Sequence, residues 1–232
     1  MARHGTMRAM TEPHTAPDSS VQEPSRDCGA CPRLAAFRAS NRDTYPAFFN
    51  APVPAFGAAD ASVRLLIVGL APGLKGANQT GRPFTGDYAG DLLYATLLRF
   101  GLAVGNYGKV ADDGLALVGC RITNAVRCVP PENKPTGDEV RSCSGYLRSE
   151  LAALNGVRCI LALGALSHGA ILSTFGEKKS AYRFAHCAQH ELTNGLILAD
   201  SYHCSRYNTN TGRLTEAMFA QVFEGLMPLI RP

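Results

Sequence analysis

A length of 232 residues is enough for one substantial buried core, so a single domain with a tail is expected and a multi-domain assembly is not. The formal charge of +4 permits a nucleic-acid partner without requiring one. No apolar run reaches membrane-spanning length and no signal-peptide core opens the chain; a cytoplasmic protein without a membrane partner is therefore expected, in which eight cysteines point to metal binding or burial before disulfides.

Met1 to Arg26 is rich in Pro, Ser, Thr and charge and lacks hydrophobic periodicity, so residues 1–26 are expected to be a disordered tail ahead of one domain over 27–232. Cys28-Gly29-Ala30-Cys31 follows, a spacing that brings two thiolates within reach of one metal or cluster, although a redox dithiol has the same spacing. Arg33 to Asn41 suits a short helix, and Tyr45 to Phe56, with three prolines and three phenylalanines, an irregular arm.

Val63 to Val68 is an apolar, β-branched run that suits a strand buried on both faces of a parallel sheet. Gly69-Leu70-Ala71-Pro72-Gly73 breaks it, and a long polar loop follows with Asn78, Gln79, Thr80, Arg82, Phe84 and Thr85. Plain strand-to-helix connectors are usually only ~2–6 residues long, and ligands in open α/β sheets sit just beyond the carboxyl ends of strands. A helix is predicted over Ala89 to Phe100, and a second strand over Leu115 to Val126, with Asn124 at its carboxyl end and Cys128 next. After the proline-rich loop Val129 to Pro135, Thr136 and Glu139 have the spacing of a capping box that opens a helix running to Leu154, with Cys143 in its first turns. Val157 to Gly164 reads as a third strand and Ala165 to Phe175 as a helix. Leu196 to Tyr202, after the turn signal Thr193-Asn194-Gly195, reads as a fourth strand delivering His203, and Leu214 to Met227 as a closing amphipathic helix.

Strands alternating with helices predict an α/β fold, three layers α/β/α around a mostly parallel four-stranded sheet. In such a fold Asn78, Asn124 and His203, each following a different strand, converge on one rim. Cys28, Cys31, Cys128 and Cys143 form two distant pairs able to close one four-thiolate site, and spacing alone does not separate zinc from an iron–sulfur cluster. Cys120 and Cys159 lie inside apolar strands and read as buried small hydrophobes; Cys204 beside His203 is not expected to be a nucleophile.

Three stretches carry a resemblance. Gly69 to Asp87, Asn124 to Pro135 and Ser201 to Thr215 resemble, in order, the first, middle and last motifs of the family 5 uracil-DNA glycosylases, and with Cys28 and Cys31 the likeness spans nearly everything after the tail. It implies a uracil-DNA-glycosylase-like fold and a monofunctional glycosylase that hydrolyses the N-glycosidic bond of uracil in DNA, with other deaminated or modified bases such as hypoxanthine and 5-hydroxymethyluracil among its substrates. It also implies a [4Fe–4S] cluster on Cys28, Cys31, Cys128 and Cys143, with zinc the less favoured occupant. Phe84 is expected to stack on the flipped base and Asn124 to read its edge, with Ala71 and Gly73 also against the substrate. Other branches carry a carboxylate or asparagine where Leu70 and Ala71 stand here, so Asn78 is the polar candidate for holding the attacking water and His203 for stabilising the leaving base. Arg206, Tyr207 and Arg213 of the last motif are expected to touch DNA. The expected protein is a monomer acting at the nucleoid on uracil-containing DNA; the alternative is a non-catalytic iron–sulfur protein that binds nucleic acid.

Overall fold

The computed structural model describes residues 21–231. The expected tail lies, over residues 1–20, outside the described residues. Its last few residues are anchored: Gln22 donates its backbone N–H to Ser149, and the Glu23 carboxylate accepts from Arg127 at 3.0 Å and from the Ala55 backbone at 3.1 Å.

The elements run α1 (Pro32–Thr44), β1 (Leu65–Gly69), α2 (Ala77–Thr80), α3 (Tyr88–Arg99), β2 (Ala103–Val104), β3 (Ala116–Leu117), β4 (Cys120–Asn124), α4 (Gly137–Ala153), β5 (Cys159–Leu163), α5 (Ala165–Phe175), β6 (Gln189–Glu191), β7 (Ile197–Ser201), α6 (Arg206–Asn210) and α7 (Glu216–Ile230). The central sheet has the order β4-β1-β5-β7-β6, parallel throughout except for the antiparallel edge strand β6. Four parallel strands match the expected sheet; the fifth was not legible, because three residues ending in a polar turn show no period. The predicted strand Leu115 to Val126 is two elements. Gly119, at φ 62°, turns the chain between β3, which pairs with β2 in a separate hairpin, and β4 in the sheet.

Alternate residues of each strand feed opposite layers, as a pleated strand covered on both faces requires. Leu65 and Ile67 pack with Leu93, Leu97, Phe219 and Phe223 of α3 and α7, while Leu66 and Val68 pack with Leu147 and Ile171 of α4 and α5. Both clusters are buried and apolar, so β1 is packed on both faces in the middle of the sheet. The Thr136–Glu139 capping box opens α4 as predicted, with the Thr136 hydroxyl accepting from the Glu139 N–H and the Glu139 carboxylate accepting from the Thr136 N–H. Glu150 of α4 is fully buried and accepts from Arg121 at 2.5 Å and from Arg127 at 2.7 Å, which locks α4 to β4 and to the turn that leaves it.

Candidate functional site

Three strand ends make the site. In parallel register, Gly69 at the end of β1 sits beside Asn124 at the end of β4, and β7 lies two strands away across β5. Beyond them opens a cavity of about 610 Å³ whose walls include Ala71, Gly73, Phe84, Asp87, Asn124 and His203. Gly69 has no side chain for a reason of packing: a Cβ there would collide with the Asn124 carboxamide and the Phe84 ring, both of which close over that backbone. Phe84 takes a left-handed backbone, φ 53°, unusual for a bulky residue and a sign that the surrounding loop imposes the ring's position. Its ring stands 6.0 Å from that of His203, tilted by 33°.

Asn124 is buried, and among the described residues no protein group hydrogen-bonds to its carboxamide. One donor and one acceptor are thus aimed into the cavity from a rigid strand end, free for a ligand. His203 is held by its backbone: the carbonyl accepts from the Asn208 carboxamide at 2.8 Å, which leaves the ring facing Phe84 and the cavity. Burial pushes the His203 pKa down, and the nearby Asp87 carboxylate opposes that shift. The ring is accordingly neutral near pH 7 and has one N–H to donate.

Asp87 is the residue that sequence reasoning passed over, although it closes the first motif. It caps α3, accepting from the Ala89 N–H at 3.1 Å, and its carboxylate packs so tightly on Gly76 that a Cβ there would strike it. Burial raises its pKa above the ordinary aspartate range, the direction expected of a carboxylate taken out of water beside a cavity. The signal available in the sequence was its place as a capping acid ahead of α3.

Asn78 sits elsewhere. It is buried beneath the loop, donates to the Asn50 Oδ1 at 2.9 Å, and does not line the cavity. Asn50 in turn donates to the backbone carbonyls of Asn41 and Tyr45. Asn78 therefore fastens the loop after β1 to the proline-rich arm, and the carboxylate that this loop brings to the cavity is Asp87. Of the expected DNA-facing residues, Arg206 lines the cavity with its guanidinium 5.5 Å from the Tyr88 ring, Arg213 lies 4.8 Å from the Tyr202 ring, and Tyr207 is 72% exposed.

The second group of interest lies just behind the turn after Asn124. Cys28, Cys31, Cys128 and Cys143 all line one cavity of about 20 Å³ between the start of α1 and α4. No three of these sulfurs come within 4.8 Å of one another, whereas four thiolates around a single zinc, at ~2.3 Å each, lie closer than that. Arg38 donates to the Cys128 sulfur at 3.5 Å and the Arg127 N–H to the Cys143 sulfur at 3.4 Å, contacts that favour thiolates. Burial acts the other way, pushing the Cys143 thiol up to about 11. Cys120 and Cys159 are buried in their strands as expected, Cys204 is buried as well, and burial pushes all three thiols up to about 12.

No helix among the described residues is long and apolar enough to cross a membrane. Residues 56–227 match the model of the uracil DNA glycosylase superfamily. A type-5 uracil-DNA glycosylase of Thermus thermophilus is 46% identical over 84% of this chain and 90% of its own length. One from Pyrobaculum aerophilum is 39% identical over 84% of this chain and 86% of its own. A type-4 uracil-DNA glycosylase of the same organism is 35% identical over 53% of this chain and 55% of its own, a weaker and shorter match. With a match across the whole layered core and over every strand end that shapes the cavity, the chain belongs to the type-5 uracil-DNA glycosylases of the uracil-DNA glycosylase superfamily.

Proposed function

We propose that the cavity beyond β1, β4 and β7 receives a uracil flipped out of DNA and that Asp87 and His203 act on opposite ends of its glycosidic bond. The observation that carries this reading is that Phe84 and Asp87 of the loop after β1, Asn124 at the end of β4 and His203 after β7 wall one cavity at the carboxyl rim of the sheet. Extruding a nucleotide costs a few kcal/mol, and stacking on an aromatic ring offsets roughly 1–3 kcal/mol of it. Phe84 supplies that ring. The Asn124 carboxamide offers a donor for O4 and an acceptor for N3–H of uracil.

Cleavage of the bond between N1 and C1′ leaves an anionic base and an oxocarbenium-like sugar. The neutral His203 ring donates its N–H to the base oxygen on which charge develops. The Asp87 carboxylate orients the attacking water, takes up its proton as the C–O bond forms, and opposes the positive sugar with its own charge. Ala71, apolar and against the base, contributes no catalytic group. Arg206, Arg213, Tyr207 and the Gly73 backbone face the phosphates and the duplex around the gap. Hypoxanthine and 5-hydroxymethyluracil belong to the same proposal, because a 610 Å³ cavity leaves room beyond a pyrimidine ring.

The four cysteines line one cavity and offer the four-thiolate ligand set of a [4Fe–4S] cluster, with zinc the less favoured occupant. Such a group supplies thiolate bonds that cross-link the segment before α1 to the turn after β4. Cys128 lies four residues beyond Asn124, so this link braces the base-reading strand end from behind.

The test is base release from an oligonucleotide carrying a single uracil, with hypoxanthine and 5-hydroxymethyluracil substrates alongside. Release of uracil that Asp87→Asn slows and His203→Ala slows further supports the reading. Tight binding without release points to the non-catalytic alternative, and full activity in both variants overturns the placement of the site.

A further inference from the structure

On the α5 face of the sheet, away from both the base cavity and the cysteines, three potential ligands converge. His168 of α5, His190 of β6 and Asp200 of β7 place their ligand atoms within 4.8 Å of one another. Asp200 is fully buried, and only its Oδ1 is bonded, to the His168 Nδ1 at 2.7 Å. The other oxygen faces the His190 Nε2 at 3.4 Å, and both of these buried atoms lack a hydrogen-bond partner. Buried carboxylate oxygens and imidazole nitrogens are rarely left so, because each has given up water for nothing.

The tautomer of His168 sharpens the point. Its Nε2 lies 3.0 Å from the Tyr182 backbone carbonyl, which can only accept, so this nitrogen carries a hydrogen. A histidine whose far nitrogen donates to a carbonyl while its near nitrogen faces a carboxylate and a second histidine has the orientation typical of a metal ligand. The Phe184 ring, edge-on to His168 at 5.7 Å, and the Tyr182 ring, edge-on to His190 at 5.9 Å, give the cluster an apolar wall. His190 retains 17% exposure of its side chain, a way in for an ion.

We infer that His168 Nδ1, His190 Nε2 and an Asp200 carboxylate oxygen form a binding site for a divalent transition metal, zinc being the best match to two imidazoles and one carboxylate with a water in the fourth position. Binding displaces the proton held between His168 Nδ1 and Asp200, and it clamps α5, β6 and β7 together, the last of which ends two residues before His203. The site is distinct from the cysteines in position and in ligand type.

The experiment uses the full-length protein purified without oxygen, its iron content measured before and after titration with zinc chloride. The wild type should take up one zinc per chain with no loss of iron, and its melting temperature should rise with zinc concentration as linkage requires. His190→Gln should lose that uptake and that rise while keeping its iron and its uracil excision. Equal zinc responses in the two proteins, no uptake by the wild type, or iron lost as zinc is gained would each overturn the site. If His190→Gln does not fold, zinc-edge anomalous scattering from wild-type crystals decides: a peak bounded by His168, His190 and Asp200 supports the assignment, and its absence after a zinc soak ends it.

Discussion

The base cavity and the cysteine corner lie back to back on the same turn, four residues apart at Asn124 and Cys128, yet they are built on opposite plans. Asn124, Phe84 and Gly69 interlock at the ends of fully buried strands, so the fold itself holds the cavity walls in place. The four cysteines line one small cavity, with contacts to Arg38, Arg127, Tyr146 and Ser142. The Arg33–Glu139 ion pair and the packing of Leu34 on Val126 join the segments of that corner, and the proposed cluster would add bonds through the sulfurs to these contacts. The cavity is preorganised by packing, whereas the proposed cluster would complete the corner.

The largest expected effect follows from breaking the corner. Cys128→Ser should remove the brown colour expected of the proposed cluster and most of the soluble yield, because the cross-link the cluster would supply between distant segments is lost. Cys120→Ala, a buried thiol in β4, should keep iron, colour and excision and show only a small loss of thermal stability. Iron and sulfide analysis of anaerobic preparations reads both. Stoichiometric zinc in place of iron would refute the cluster, and loss of iron from Cys120→Ala would mean that the wrong cysteines were chosen.

On the cavity side, variants should cost rate and leave the fold alone. Losing an electrostatic donor typically slows a reaction roughly 10²–10³-fold, so His203→Ala should fall in that range under single-turnover conditions. The defect should shrink for 5-fluorouracil, whose anion is a better leaving group; a defect independent of leaving-group acidity would remove His203 from that end of the bond. Asp87→Asn should cost about 10²-fold, at the lower end for acid–base catalysis, since a dissociative transition state asks less of its water. Because burial raises the Asp87 pKa and the carboxylate is the working form, wild-type rate should fall as pH drops through that raised value, above the ordinary aspartate range. Asp87→Asn should flatten this acid limb. Smaller again, Asn124→Ala should slow uracil release by about 10–100-fold, the worth of the lost pairing, with affinity for undamaged DNA nearly unchanged. A collapse of that affinity would make Asn124 a structural residue.

The same contrast explains what could be read from the sequence. The buried strands were legible because continuous apolar runs bounded by glycine leave few alternatives, and the capping box at Thr136 and Glu139 was legible because its two bonds are local. Asn124 and His203 were legible for the same reason: each stands where a run ends. The strand break at Gly119 and the edge strand β6 were not, since each depends on a partner strand rather than on its own pattern. The roles of Asn78 and Asp87 depend on which way a loop folds over itself. Two polar side chains nine residues apart look equivalent on paper, and only the contact with Asn50 shows that one of them turns inward.

That contact yields the smallest effect and the sharpest division within the loop. Asn78→Ala removes the donor to Asn50 Oδ1 and leaves a buried acceptor unpaired, a loss of about 1–3 kcal/mol of stability. The bond joins the loop after β1 to the arm, so the loss should appear as a lower denaturation midpoint with unchanged m-value. Asn78 does not reach the cavity, so below its melting range the variant should release uracil at nearly the wild-type rate and keep the acid limb of the pH profile. Asn78→Asp should be worse for stability than Asn78→Ala, because it sets a carboxylate against the Asn50 oxygen in a buried place where neither donates. Rate and stability thus separate: Asp87→Asn alters the pH profile and spares the midpoint, and Asn78→Ala does the reverse. An Asn78→Ala enzyme that folds normally but loses its acid limb would return the water to Asn78 and require the loop to open during catalysis.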